Sequence, residues 1–149
     1  MKGYFVLICW LCIFIQSCPR KEERIEPAYP TEVAGWKETS EHGVRTLGAF
    51  VLRPNEVADN GKLQIKAIEI LPGNMSADYG SYGRQAKVKL QFTRSSDQKF
   101  LCEGIFLDMS SMGLSSDKCG SSLESYGVTT IYIRAINVRD KWVYFSLGG

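Results

Sequence analysis

The chain has 149 residues, of which 23% are charged and 44% hydrophobic, and its formal net charge at pH 7 is +2. This length suits one domain with a single core, and the nearly balanced charge gives no reason to expect nucleic-acid binding. The sequence has no phosphate loop, nucleophile elbow, His-Glu-x-x-His motif, dinucleotide fingerprint or Ca²⁺ loop. It therefore predicts no catalytic residue, no metal and no cofactor.

The N-terminal stretch combines one positive charge, Lys2, with a run of 13 uncharged and mostly apolar residues, 3–15. A membrane-spanning helix needs about 20 apolar residues, whereas the apolar core of a signal peptide has roughly 7 to 15. The length therefore favours a cleaved signal helix over an uncleaved anchor.

The run ends in Ile15, Gln16, Ser17 and Cys18, with an aliphatic residue three positions before a cysteine and a small residue directly before it. Over residues 1–18 the chain resembles bacterial lipoproteins, which carry such a lipobox; an ordinary secreted protein is the alternative. The resemblance implies that Cys18 is lipidated, that residues 1–17 are removed, and that the new N-terminus is acylated. The protein would then be held at a membrane of the cell envelope, outer or cytoplasmic, on the periplasmic or surface side.

Residues 18–33 are rich in charges of both signs and contain three prolines. Such a composition cannot offset chain entropy by burial, so it predicts an extended tether. A short helix over residues 21–26 is the alternative, because good helix formers lie there. Residues 34–149 are predicted to form a single β-rich domain.

Short strands and turns are predicted from Trp36 onward. Residues 46–52 and 62–71 have the pattern of strands, and the second follows the turn signal Asp59-Asn60-Gly61. Within the second strand the apolar positions change from odd to even after Ala67. Such a change of phase predicts a β-bulge.

The following residues complete the predicted fold. Residues 86–92 alternate apolar and polar side chains, which predicts a half-buried strand. Residues 100–109 are apolar at nearly every position and predict a central strand covered on both faces, followed by a Ser- and Gly-rich loop over residues 110–125. Six or seven short strands predict an all-β antiparallel sandwich, with a small Greek-key barrel similar to an OB-fold as the alternative.

Two cysteines, Cys102 and Cys119, remain besides Cys18 if the signal peptide is removed. An oxidising envelope favours a disulfide between them. The alternative is a thiol nucleophile served by His42, the sole histidine. His42 lies in Ser-Glu-His-Gly, a sequence more typical of a turn, so the disulfide is the prediction.

The sequence after residue 130 predicts a hairpin with a three-residue turn at residues 139–141. In this register Ala135 opposes Phe145 and Ile133 opposes Leu147, which puts aliphatic side chains on one face. The other face collects Tyr132, Ile136, Val138, Trp142 and Tyr144. This patch is either covered by a second sheet or forms a binding face, which could include the loop residues Tyr79 and Tyr82.

Two classes of function are compatible with these features. The first is a non-enzymatic lipoprotein whose β-domain binds or scaffolds an envelope protein or glycan. The second is an envelope enzyme whose site is assembled from isolated residues such as Glu103, Asp108 and His42. Catalytic groups need partners within hydrogen-bond reach, and no motif predicts such partners here, so the first class is favoured.

Overall fold

The structure is a computed structural model and describes residues 24–73, 85–113 and 119–149. Nine strands in these ranges form two antiparallel sheets that pack face to face, so the predicted all-β sandwich is confirmed. Three of the nine strands have only three residues each, which explains why the sequence predicted six or seven. The predicted signal peptide, Cys18, Tyr79 and Tyr82 lie outside the described residues.

The two sheets differ in size. The five-stranded sheet has the order β1-β2-β9-β8-β7, with β1 at Thr39–Glu41, β2 at Val44–Leu52, β9 at Trp142–Gly148, β8 at Thr130–Asn137 and β7 at Ser111–Gly113. The four-stranded sheet has the order β3-β4-β5-β6, with β3 at Val57–Asp59, β4 at Leu63–Leu71, β5 at Lys87–Arg94 and β6 at Phe100–Leu107. One helix, α1, spans Gly120–Glu124. No helix in the described ranges is long and apolar enough to cross a membrane.

The core lies between the sheets and is built from alternate residues of the strands. In β5, Val88, Leu90 and Phe92 are fully buried, as the sequence predicts. The register of β4 against β5 shifts between Ala67 and Glu69. As a result, Ile70 lies in the core. The predicted bulge in β4 is thereby confirmed.

Strand β6 lies at an edge of its sheet, so the prediction of a central strand covered on both faces was wrong. Cys102 and Phe106 are buried in the core, whereas Phe100 and Ile105 are each more than half exposed. The apolar outer face of β6 misled the prediction, because strand order is not a local property of the sequence. The predicted loop that follows contains β7 and α1.

Cys102 and Cys119 form the predicted disulfide, with their Cα atoms 5.2 Å apart. The bond joins the beginning of β6 to the residue before α1, and both cysteines are buried. Leu123 of α1 is also buried, so the helix packs onto the core. Closing a loop of this length stabilises the fold by about 3 kcal/mol in the chain-entropy model.

The β8–β9 hairpin has the predicted aliphatic face but a different register. Phe145 opposes Ile133 and Leu147 opposes Ile131, a displacement of two residues from the prediction. The turn contains four residues, 138–141, where three were predicted.

An irregularity between Ile133 and Ala135 changes the phase of β8. Ile136 is consequently buried in the core, so its predicted place on the outer, aromatic face was wrong. Asn137 is buried beside the turn, and its side-chain oxygen accepts a hydrogen bond from the backbone N–H of Asp140 at 2.7 Å. This bond links the end of β8 to the turn.

Residues 24–30, the docked segment, have no helix or strand and lie against the β8–β9 hairpin. The carbonyl oxygen of Pro27 accepts a hydrogen bond from Asn137 Nδ2 at 3.0 Å. Tyr29 packs edge-on against Trp142, with ring centroids 5.5 Å apart, and Trp142 is only 2% exposed. The outer face of the hairpin is thus covered in part by this segment, whereas the boundary between tether and domain at residues 33 and 34 stays a prediction.

Candidate functional site

The residues considered for an enzyme site lie in the β1–β2 turn, within β6 and directly after β6. His42 and Gly43 form the turn between β1 and β2, both with positive φ, as is typical of two-residue hairpin turns. Glu103 lies within β6 and forms an ion pair with Lys89 at 2.8 Å, and Asp108 follows the same strand. The structure does not bring these three side chains together. Within the described ranges, no group of three or more His, Cys, Asp or Glu residues could hold a metal ion.

Asp108 has a structural role where β6 and β8 end, which we call the Arg24 end of the sandwich. Its Oδ2 accepts a hydrogen bond from Arg24 Nη2 at 2.7 Å, and its Oδ1 accepts one from the backbone N–H of Ile136 at 2.9 Å. Arg24 Nη2 also donates to the carbonyl oxygen of Ile136 at 2.6 Å. The ion pair therefore ties the docked segment to both sheets.

Strand β8 extends beyond the short β7, so its edge carries backbone N–H groups that no strand pairs. Asp108 accepts from one of them, and Glu26 Oε2 accepts from the N–H of Val138 at 2.9 Å. Buried donors need such partners, and carboxylates along an exposed edge also discourage pairing with another chain. Both acids are thereby occupied in stabilising the fold.

The opposite end of the sandwich has a cleft of about 390 Å³. This volume lies within the roughly 300–1,000 Å³ of small-molecule sites. Four separate segments line the cleft: Trp36, the β3–β4 turn and the first residue of β4 (Asn60, Gly61, Lys62, Leu63), the end of β5 and the turn after it (Arg94, Ser96), and the residues after α1 (Ser125, Tyr126). Leu63 and Arg94 are paired in the sheet, which places the two turns side by side.

Trp36 reaches the cleft because the chain passes very close to β2. Gly35 exchanges two backbone hydrogen bonds with Ala49, at 2.9 and 3.0 Å, and a Cβ atom on Gly48 would lie 2.5 Å from the Gly35 carbonyl oxygen. The indole of Trp36 then packs edge-on against Phe50, with centroids 4.8 Å apart. Its Nε1 is enclosed and has no hydrogen-bond partner among the residues described. The ring of Trp36 forms an aromatic wall of the cleft.

Hydrogen bonds to Asp59 hold the two turns of the cleft together. Ser95, from the β5–β6 turn, donates its hydroxyl to Asp59 Oδ1, and the backbone N–H of Gly61 donates to the same oxygen at 2.7 Å. These bonds, with that from Ser95 first, lower the pKa of Asp59 below its ordinary value. The carboxylate is therefore ionised at neutral pH and remains an acceptor for both turns.

Two cations, Lys62 and Arg94, line the cleft together with the rings of Trp36 and Tyr126. Arg94 Nε donates to Tyr126 Oη at 3.3 Å, and its Nη1 donates to Asp97 Oδ2 at 3.1 Å. The hydrogen bond with Tyr126, followed by the charge of Asp97, raises the pKa of Arg94. Lys62 is exposed and forms no ion pair within the described parts of the chain. The cleft thus combines aromatic surface with positive charge.

None of these lining residues was predicted as a site residue. Trp36 was predicted only to begin the domain, and the sole local signal was the Asp59-Asn60-Gly61 turn. Arg94 and Tyr126 come together through sheet pairing and the position of α1, which no local pattern reports.

The predicted aromatic binding face is only partly open. Trp142 is covered by the docked segment, and Tyr132 and Tyr144 are half-buried on the outer side of the five-stranded sheet. A binding role for Tyr132 and Tyr144 stays a prediction.

Comparison of the chain with models of protein families, with curated proteins and with solved structures finds no match. A β-sandwich supports many unrelated functions, so the fold alone does not assign one. The cleft and the predicted lipobox remain the two features that bear on function.

Proposed function

We propose that the protein is a cell-envelope lipoprotein, anchored through Cys18, that acts by binding, and that its cleft binds a carboxylate-bearing glycan. The observation that carries the ligand assignment is the combination of Trp36 and Tyr126 with Lys62 and Arg94 in one cleft. The lipobox residues support the anchor.

The chemistry of the cleft favours an acidic sugar. Aromatic rings offer a large, rigid contact area to the apolar faces of sugar rings, and arginine or lysine forms charge-assisted hydrogen bonds with carboxylates. Lys62 has no ion pair to give up within the described residues, so a ligand carboxylate would meet an available cation. No acidic side chain is among the described lining residues; the nearby carboxylates of Asp59 and Asp97 are engaged by Ser95 and Gly61 and by Arg94, respectively.

Binding is preferred over catalysis because of where the acids lie. General acid–base catalysis needs a titratable group in contact with the substrate. Glu103 and Asp108 are engaged by Lys89 and Arg24, away from the cleft, and His42 lies in the β1–β2 turn. None of these three residues is among those that line the cleft, so the enzyme alternative is not supported by a contact there.

The anchor is tested by Cys18→Ser in cells fed labelled palmitate. We expect the variant to lose both the label and its membrane association, and to retain residues 1–17, because lipid attachment precedes cleavage in this class. Mass spectrometry of the N-terminus and fractionation of the membranes measure these effects. Palmitate on the variant, or an unlipidated Cys18 in the native protein, would contradict the anchor.

The ligand is tested with trigalacturonic acid and its neutral counterpart, galactotriose, by isothermal titration calorimetry. We expect the acidic sugar alone to bind, and Lys62→Ala or Arg94→Ala to weaken binding roughly tenfold or more, because charge-assisted hydrogen bonds contribute about 1.5–3 kcal/mol. Lys99→Ala is the matched control, since Lys99 is exposed and does not line the cleft. Equal binding of both sugars, or none by either, would refute an acidic-glycan site.

A further inference from the structure

The Arg24 end has the two most exposed large apolar side chains in the described parts of the chain. Ile25 is 95% exposed and Met109 is 82% exposed. Each directly follows one member of the Arg24–Asp108 ion pair, whose 2.7 Å contact brings the two chain segments together. These two side chains therefore lie near each other at one end of the sandwich and contribute little to its core.

A groove of about 300 Å³ adjoins Met109 and is also lined by Tyr132 and Arg134. The Arg134 guanidinium lies 5.3 Å from the centre of the Tyr132 ring, and its Nε donates to Ser146 Oγ at 3.2 Å. Arg134 forms no ion pair with a carboxylate in the ranges that the structure describes. An apolar side chain, a tyrosine and an available arginine are thus neighbours, a combination typical of protein surfaces at the membrane interface.

The two carboxylates nearby, Asp108 and Glu26, are engaged by partners within the fold. Both oxygens of Asp108 accept hydrogen bonds, from Arg24 and from a backbone N–H. Glu26 accepts from the N–H of Val138 and lies 3.6 Å from Arg24 Nε. The two carboxylates share the single guanidinium of Arg24 and also accept backbone N–H groups, whereas Arg134 is the charged residue that lines the groove itself.

The chain between the proposed anchor and the domain is short, which favours a membrane as the surface that contacts the Arg24 end. Five residues, 19–23, separate Cys18 from Arg24. An extended chain spans at most ~3.3–3.6 Å per residue, so a lipidated Cys18 lies within roughly 20 Å of Arg24. Arg20 and Lys21 in this short connection are balanced by Glu22 and Glu23, so the connection itself carries no net charge.

We infer that the Arg24 end rests on the lipid surface, with Ile25 and Met109 in the membrane interface and Arg134 at the lipid phosphates. This inference rests on the proposed lipidation of Cys18. The glycan cleft then opens away from the membrane. Leu107 pairs with Lys87 at one end of β5, and Leu63 pairs with Arg94 at the other. At about 3.3 Å per residue, the two ends are roughly 23 Å apart.

The test uses the lipidated protein in vesicles of phosphatidylcholine and phosphatidylglycerol, with an environment-sensitive fluorophore on an introduced cysteine. Ile25→Cys and Met109→Cys report on the Arg24 end, and Ser96→Cys, an exposed residue of the cleft, is the control. We expect brominated lipids to quench the fluorophores at positions 25 and 109 and aqueous iodide to quench only the one at 96. In a second comparison, Arg134→Glu should reduce quenching by brominated lipids, and Lys99→Glu should not.

Each other outcome overturns the inference. Fluorophores at 25 and 109 that iodide quenches as strongly as the one at 96 would place this end in water. Shielding from iodide without quenching by brominated lipids would place a protein there instead of lipid. If the protein carries palmitate, either of these two quenching results contradicts only the membrane orientation and leaves the proposed anchor intact. If the protein carries no palmitate, both the anchor and the orientation are wrong.

Discussion

Phe145→Ala is expected to lower the free energy of unfolding by roughly 3 to 5 kcal/mol, because it leaves a cavity in the core. Phe145 is fully buried in β9, the central strand of the five-stranded sheet. Its ring lies 5.4 Å from that of Phe50, the residue opposite it on β2. Chemical denaturation followed by tryptophan fluorescence measures the loss.

Phe100→Ala is the matched control for this prediction. It removes the same atoms from the edge strand β6, where the ring is 54% exposed. Surface substitutions usually change stability by less than about 1 kcal/mol. Equal losses for the two variants would contradict the placement of Phe145 between the sheets.

Trp142→Ala is expected to cost a similar amount, roughly 3 to 5 kcal/mol, although Trp142 lies on the outer side of its sheet. The indole is buried because the docked segment covers it, with Tyr29 in edge-on contact. The variant should therefore lose both the packing of the ring and the attachment of residues 24–30. Denaturation of the single variants Trp142→Ala and Tyr29→Ala and of the double variant measures both effects.

The double variant isolates the contact between the two rings. Aromatic pairs are coupled by about 0.5–1.5 kcal/mol, so Tyr29→Ala should cost less when Trp142 is already absent. Strictly additive losses would mean that Tyr29 does not cover Trp142. In that case the aromatic face would again be a candidate binding surface.

Features that depend on neighbouring residues were predictable from the sequence. The alternation in β5 and the change of phase in β4 each report which side chains one strand buries, and both predictions are confirmed. The disulfide followed from compartment and cysteine count, and it is present between Cys102 and Cys119. These inferences need no knowledge of strand order.

Features that depend on distant residues were not predictable. The sequence of β6 has apolar residues on both faces, yet its place at a sheet edge is decided by which strands pair with it. In β8 the apolar positions change from odd, at Ile133, to even, at Ile136, as they do at the bulge in β4. This change of phase was visible in the sequence and would have indicated the observed hairpin register. The cleft joins four segments through sheet pairing and the position of α1, so no single stretch reports it.

The position of β9 has a consequence for how the chain folds. β9 is the last of the nine strands in chain order, yet it lies between β2 and β8 and pairs with both along most of its length. Until β9 is available, β2 and β8 are unpaired on their inner sides, and the five-stranded sheet cannot form. Sheets that depend on such sequence-distant pairing form slowly. This strand order suits the proposed export in the unfolded state, because the five-stranded sheet cannot be completed before β9, the last strand, is available.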